Sequence, residues 1–245
     1  MKLRCLGSNS SGNCYLLIGA NEALVLECGV PLREVKKALN FDISRVVGAV
    51  VSHEHGDHAG YVREYAEAGI TVLSSEYLFR TNKLSILCAF AKRIEAGKGY
   101  KIGGFKVMPF SVAHDVPCFG FLIEHAEMGK LLFLTDTMLC EYTFQGLNHV
   151  LIECNYSDEI LQNNINAGRV RPEMRPRLMQ SHMELETCKG ILKANDLTAV
   201  QSIVLIHLSD GNSNEKVFIN EVQAATGKPT YAANKGFEIS LSKML

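Results

Sequence analysis

Residues 53–58 read His-Glu-His-Gly-Asp-His, directly after the apolar run 46–52, Val-Val-Gly-Ala-Val-Val-Ser. Neutral imidazole and carboxylate are the donors that zinc, iron and manganese accept, so the segment can build a metal site. Spacing divides the work. In an extended turn His53 and His55 point the same way and can share one ion, while Asp57 and His58 are carried past it and can reach a second. A lone histidine is usually a surface or half-buried residue. Four donors packed behind a buried strand favour a two-metal site instead. Two ions sharing a water would lower its pKa toward neutrality and hold a metal-bridging hydroxide in line with an electrophilic centre.

The elements that must position such a site are visible as short apolar runs, each ended by a polar residue. Run 22–26 ends at Glu27, 46–52 at the histidine cluster, 105–113 at His114-Asp115, 131–135 at Asp136, 150–152 at Glu153 and 203–206 at His207. Each is strand-length and rich in β-branched residues or Leu. In layered α/β folds sites gather where strands end, because loops diverge there while the sheet holds their roots still, so these donors can converge. Helices are predicted between the runs over 31–39, 61–68, 76–93, 157–164, 184–194 and 214–225, the first opening on Pro31. A hairpin is predicted with 104–112 against 120–124. The interleaving predicts sheets covered by helices.

The bulk numbers constrain the rest. A chain of 245 residues with 47% hydrophobic and 21% charged residues can bury a sizeable core. It contains no Pro/Gly/Ser-rich linker, repeat or low-complexity segment, so one domain over 1–245 is expected. The net charge of −1 excludes a broad positive field for nucleic acid, and any such binding must come from a local patch. The first eight residues turn polar before an apolar core could form, and no apolar run approaches 18 residues. Export and membrane insertion are therefore not expected, and a cytoplasmic protein is. Eight cysteines without a Cys-x-x-Cys pair, several inside apolar runs, read as buried free thiols.

The pattern His-x-His-x-Asp-His after a buried strand, with a single downstream His114, a strand-ending Asp136 and a late His207, resembles the metallo-β-lactamase fold superfamily. Order and approximate spacing agree along essentially the whole chain. The resemblance implies a four-layer αβ/βα sandwich in the α/β class, two mixed β-sheets flanked by helices, with the site at one edge of the packed sheets. It also implies that His53, His55 and His114 hold the first metal, that Asp57, His58 and His207 hold the second, and that Asp136 bridges them. The opening Leu6-Gly7-Ser8-Asn9-Ser10-Ser11-Gly12-Asn13-Cys14 and the late Ile206-His207-Leu208-Ser209 look like the branch that includes the WalJ (YycJ) and PhnP proteins. In that branch, as in the related tRNase Z enzymes, a further histidine lies between the bridging Asp and the last ligand, and His182 occupies that place. Two departures stand out. Glu27 is found where the superfamily usually has an Asp that braces a metal-binding histidine, and the segment after His182 lacks the Leu-Ser-Asn common in WalJ-like proteins.

His182 is a candidate proton donor to a leaving group, since a histidine near neutral pKa can carry a proton into the transition state. Its competing role is structural: oriented by Glu184 or Glu186, or capping the helix that begins nearby. His125 and His149 are not expected to bind metal. The loop 8–13 can present backbone N–H groups and the side chains of Asn9, Ser10 and Asn13 to an anionic substrate, or can be only a hairpin turn. Segment 169–177 carries four arginines, with Arg175 and Arg177 nearest His182; it is either a phosphate-binding patch or a solvated loop.

The expected function is a hydrolase dependent on two divalent ions, Zn²⁺ foremost and Mn²⁺ or Fe²⁺ alternatively. Asp57 and His182 are its candidate catalytic residues and Glu27 a structural support. A phosphodiesterase or nuclease leads, acting on nucleic acid or a small nucleotide. The alternatives are hydrolysis of a thioester, lactone or lactam carbonyl, and a non-catalytic module that metals merely stabilise.

Overall fold

A computed structural model describes residues 1–84 and 89–243. The strand of the first predicted run, β3 (Ala23–Leu26), follows the hairpin β1 (Lys2–Asn9) and β2 (Gly12–Ile18). Helix α1 (Leu32–Ala38) leads to β4 (Val46–Val50), which runs into the short helix α2 (Gly56–Ala59) and then α3 (Val62–Glu67). Next come β5 (Val72–Ser74), α4 (Glu76–Thr81) and β6 (Ala91–Arg93). A meander follows: β7 (Tyr100–Ile102), β8 (Phe105–Val112), β9 (Cys118–His125) and β10 (Gly129–Leu134). After β11 (His149–Glu153) lie α5 (Asp158–Asn166), α6 (Met174–Ser181) and α7 (Leu185–Ala194). The chain ends through β12 (Ser202–Ile206), α8 (Glu215–Thr226), β13 (Thr230–Ala232) and β14 (Glu238–Ser240).

These strands form two seven-stranded sheets, ordered β14-β1-β2-β3-β4-β5-β6 and β13-β12-β11-β10-β9-β8-β7. Each is antiparallel on one side and parallel on the other, with the parallel parts at β3 to β6 and β10 to β13. Strand alternation sorts side chains into layers. Leu24 and Leu26 of β3 enter the cluster between the sheets, whereas Ala23 and Val25 join the helices outside. Strands covered on both faces read as continuous apolar runs, which is why they were legible. At the seam Phe133 takes Tyr15 edge-on at 5.8 Å and stacks with Phe121 at 6.4 Å. The outer clusters pack α1 and α3 on the first sheet, and α7 and α8 on the second. The result is the four-layer αβ/βα sandwich that the resemblance implies.

Two expectations change. The helix over 76–93 stops at Thr81, where Asn82 and a left-handed Lys83 (φ 53°) turn the chain, and 91–93 is a strand; positions 85–88 of that stretch lie outside the described residues. Segment 169–177 is not a loop throughout, because α6 begins at Met174. Its two prolines hid the helix, yet Pro176 sits in the first turn, where no intrahelical N–H bond is required. Cysteines 5, 14, 28, 118, 140, 154 and 188 are free and buried, and Cys88 is outside the described residues. Among the described residues no helix is long and apolar enough to cross a membrane.

Candidate metal centre

Six strand ends and two helices deliver the polar groups to one place. His53 leaves β4 and His55 caps α2, which carries Asp57 and His58; His114 follows β8, Asp136 follows β10 and His207 follows β12. Glu27, Asp136 and His207 all have left-handed backbones, with φ of 68°, 43° and 53°. Such conformations cost about 1–3 kcal/mol each for ordinary side chains, and here each accompanies a strand-end group that meets the donor histidines.

Two donor clusters result. His53, His55, His114 and Asp136 place one ligand atom each within 4.8 Å of one another, and so do Asp57, His58, Asp136 and His207. In the first, His55 Nδ1 lies 3.3 Å from His114 Nε2, and His53 Nε2 is 3.8 Å from Asp136 Oδ2. In the second, His58 Nε2 is 3.2 Å from both Asp57 Oδ2 and Asp136 Oδ1, and His207 Nε2 is 3.3 Å from Asp57 Oδ2. Asp136 thus presents one oxygen to each cluster.

The groups fit divalent ions on two counts. His53 Nε2 is buried without a hydrogen-bond partner among the described residues, an expensive state for a polar atom unless a cation takes its lone pair. Charge points the same way. Glu27, Asp136 and Glu153 are buried and Asp57 half-buried in one pocket, which demands positive compensation. Burial opposes a charged His207, but Asp136, Asp57 and Glu153 overcome it and push its pKa up to about 10; His58 is raised in the same sense. Burial would also raise Asp57 and Asp136, but hydrogen bonds from His207 and His58 hold Asp57, and the charges of the same two histidines hold Asp136, well below the usual carboxylate range. His53 is pushed the other way, chiefly by burial and then by the His58 charge, and stays neutral as a ligand must.

The second nitrogens of these imidazoles face polar neighbours, by hydrogen bond at His53 and His114 and at ion-pair distance at His55, His58 and His207, which orients the rings. His53 Nδ1 is 2.8 Å from Ser52 Oγ, and His55 Nε2 is 3.4 Å from Asp115 Oδ1. His114 Nδ1 lies 3.1 Å from the Ser181 carbonyl at the end of α6. Glu27 accepts from the Ser52 N–H at 3.1 Å and reaches His58 Nδ1 at 3.5 Å, so the glutamate spans the place of the shorter aspartate. His207 Nδ1 is 3.4 Å from Glu153 Oε1, and Asn155 Nδ2 donates to the His207 carbonyl at 2.8 Å.

His182 stands beside the second cluster, its ring stacked on that of His207 at 5.3 Å. Neither Glu184 nor Glu186 orients it. Glu184 instead caps α7, and the partner of His182 is Glu153, whose Oε1 lies 2.7 Å from Nδ1. Burial disfavours the imidazolium, but the adjacent Glu153 carboxylate outweighs it and raises the pKa above the ordinary histidine value. Nε2 is left for the cleft.

The expected substrate contacts divide. Asn9 and Ser10, at the turn of the N-terminal hairpin, line the cleft, as does Arg177. Asn13 does not, because it is fully buried in β2 and donates to Asp57 Oδ2 at 3.2 Å from below. Arg175 does not line the cleft either: its guanidinium forks onto Asp158 at 2.7 and 2.9 Å and meets Gln162. His125 pairs with Glu22 and His149 with Ser202 Oγ, both away from the clusters. Asp115 and Glu153 are legible in the sequence as acids at strand ends but without a partner, and Asn155 and Ser181 carry no sequence signal.

The family model described as metallo-beta-lactamase superfamily matches residues 7–80. The chain is 25% identical over 226 residues to the exodeoxyribonuclease WalJ of Streptococcus pneumoniae, covering 86% of this chain and 83% of the relative. It is 24% identical over 256 residues to the exodeoxyribonuclease YycJ of Bacillus anthracis, covering 96% and 92%. In fold it is similar to the crystal structure of Zn²⁺-bound PqqB from Methylobacterium extorquens, with a TM-score of 0.73, 14% identity and coverage of 98% and 100%.

Proposed function

We propose that the chain, which resembles the WalJ-like branch of the metallo-β-lactamase superfamily, is a phosphodiesterase dependent on two divalent ions and acting on nucleic acid, DNA foremost. The observation that carries this reading is the Glu153–His182 pair beside two clusters that share Asp136. A proton donor at that position serves a leaving alkoxide, such as the sugar oxygen of a phosphodiester, and is of little use to the thiolate of a thioester. The names of the two relatives, both exodeoxyribonucleases, support DNA as substrate.

His53, His55, His114 and Asp136 would hold one ion, and Asp57, His58, Asp136 and His207 the other. Nitrogen and oxygen donors without thiolate suit Zn²⁺, and the similar PqqB structure contains it. Bound there, the ions supply an activated water at neutral pH and neutralise charge on the phosphoryl oxygens. The protein's own groups do the rest. Arg177, at the seam of the cleft and without an ion-pair partner among the described residues, is placed for a phosphate oxygen. As the water oxygen bonds to phosphorus and the bond to the leaving oxygen breaks, His182 Nε2 gives its proton to the leaving alkoxide; the proton lost by the water restores it. Glu153 accepts the Nδ1–H and favours the imidazolium, so that Nε2 carries the proton on the cleft side and the ring returns to the Nδ1–H tautomer once it is given up.

The test is a substrate panel with Zn²⁺ or Mn²⁺ added: bis-p-nitrophenyl phosphate, end-labelled duplex DNA, a thioester and a lactone. Turnover of the two phosphodiesters is expected. Turnover of the carbonyl compounds alone would overturn the reading, and a protein that takes up no metal and hydrolyses nothing would leave it an interaction module. One supporting group has its own expectation. Asp115→Asn removes the carboxylate bracing His55 and should weaken ion retention at the first cluster by about 10–100-fold. Competition with a chromophoric chelator measures this, and the second cluster should keep its affinity.

A further inference from the structure

The cleft continues past His182 and His207 into a second cavity of about 420 Å³ that contains none of the histidines of the first cluster. One wall is α6, through Met174, Arg177 and Leu178; the others are Asn9 of the hairpin turn and the loop after β12, with Leu208 and Asp210. His182 lines both spaces and so stands at the threshold between them. In an in-line displacement the leaving oxygen departs opposite the attacking one. Attack from the side of the donor clusters therefore sends the leaving group past His182 into this second cavity.

The lining indicates what enters. Met174, Leu178 and Leu208 offer an apolar surface suited to the flat face of a base, with a thioether among them. Asn9 and Asp210 offer hydrogen-bonding groups for a sugar hydroxyl or a base edge. Beyond Arg177, which sits at the scissile phosphate, no other Lys or Arg lines the cavity among the described residues, and Asp210 adds negative charge. A second phosphate would meet repulsion there.

Resting on the phosphodiesterase reading, we propose that this cavity is the subsite for an uncharged leaving nucleoside, so that the preferred substrate is a nucleic-acid end whose terminal residue on the leaving side carries a free hydroxyl.

Two dinucleotide pairs test this in the Zn²⁺-loaded enzyme: thymidylyl-thymidine against the same compound bearing one more phosphate, on the 5′ end in one comparison and on the 3′ end in the other. At one end the added phosphate should lower kcat/KM by about tenfold or more, and Asp210→Asn should shrink that penalty. Leu178→Asp should lower kcat/KM for the unphosphorylated compound by a similar factor, while the two bound ions and the melting temperature are retained. Equal rates for all three compounds, or cleavage indifferent to both substitutions, would overturn the proposal while the phosphodiesterase reading stood. Failure to cleave any phosphodiester would sink both.

Discussion

Asp57→Asn is expected to abolish phosphodiester turnover and leave the chain folded. Asp57 supplies one of the two carboxylates in the second cluster and lies within 3.3 Å of both His58 and His207. The amide keeps the shape and loses the charge, removing several kcal/mol of charge stabilisation, which corresponds to a loss on the order of 10³-fold in rate. Folding should be spared, because Asp57 is partly exposed on the four-residue α2 and belongs to no apolar cluster. Between the metal-free proteins a stability change within about 1 kcal/mol is expected. Metal analysis should find one ion per chain instead of two. A variant that hydrolyses bis-p-nitrophenyl phosphate at the parental rate would remove Asp57 from the chemistry; one that melts early would make its role structural.

The second large effect depends on the leaving group. His182→Ala should slow cleavage of a dinucleoside phosphate by about 10²–10⁴-fold, the range for loss of a positioned acid. For bis-p-nitrophenyl phosphate the loss should be far smaller, because p-nitrophenolate departs without a proton. Glu153→Gln should reproduce the same split more weakly, since it disturbs the tautomer and orientation of a ring that remains. A structural role for His182 predicts equal losses on both substrates. That result would reassign the residue.

The candidate metal donors that the structure brings together were legible because their chemistry is written locally: two histidines two apart, an Asp-His pair just beyond, and single polar residues closing apolar runs. Their braces were not. The second nitrogen of each imidazole meets whatever a neighbouring strand end supplies, and neighbourhood depends on strand order. Glu153 meets His182, 29 residues away, because β11 lies between β10 and β12 and its end opens on the same cleft. Glu184 and Glu186, close in sequence, were the natural candidates, but the need to cap α7 claims Glu184. Arg175 and Arg177 differ by about half a helical turn, a geometry that composition does not carry. Once α6 is a helix, Arg175 faces Asp158 and Arg177 faces the cleft. Asn13 shows the converse: a polar residue in a Gly/Ser-rich stretch that can face substrate or only form a hairpin turn lies in the hairpin's second strand, beneath the site.

Each donor cluster draws from both sheets. His53, His55, Asp57 and His58 hang from the strand ends of the first, and His114, Asp136 and His207 from those of the second. Neither half of the chain can close a coordination sphere by itself. An ion seated at either cluster would therefore latch together segments as far apart as Asp57 and His207, 150 residues distant. Catalytic competence and the docking of the two sheets then become a single event, and a chain that has not finished folding carries no loose hydrolytic activity.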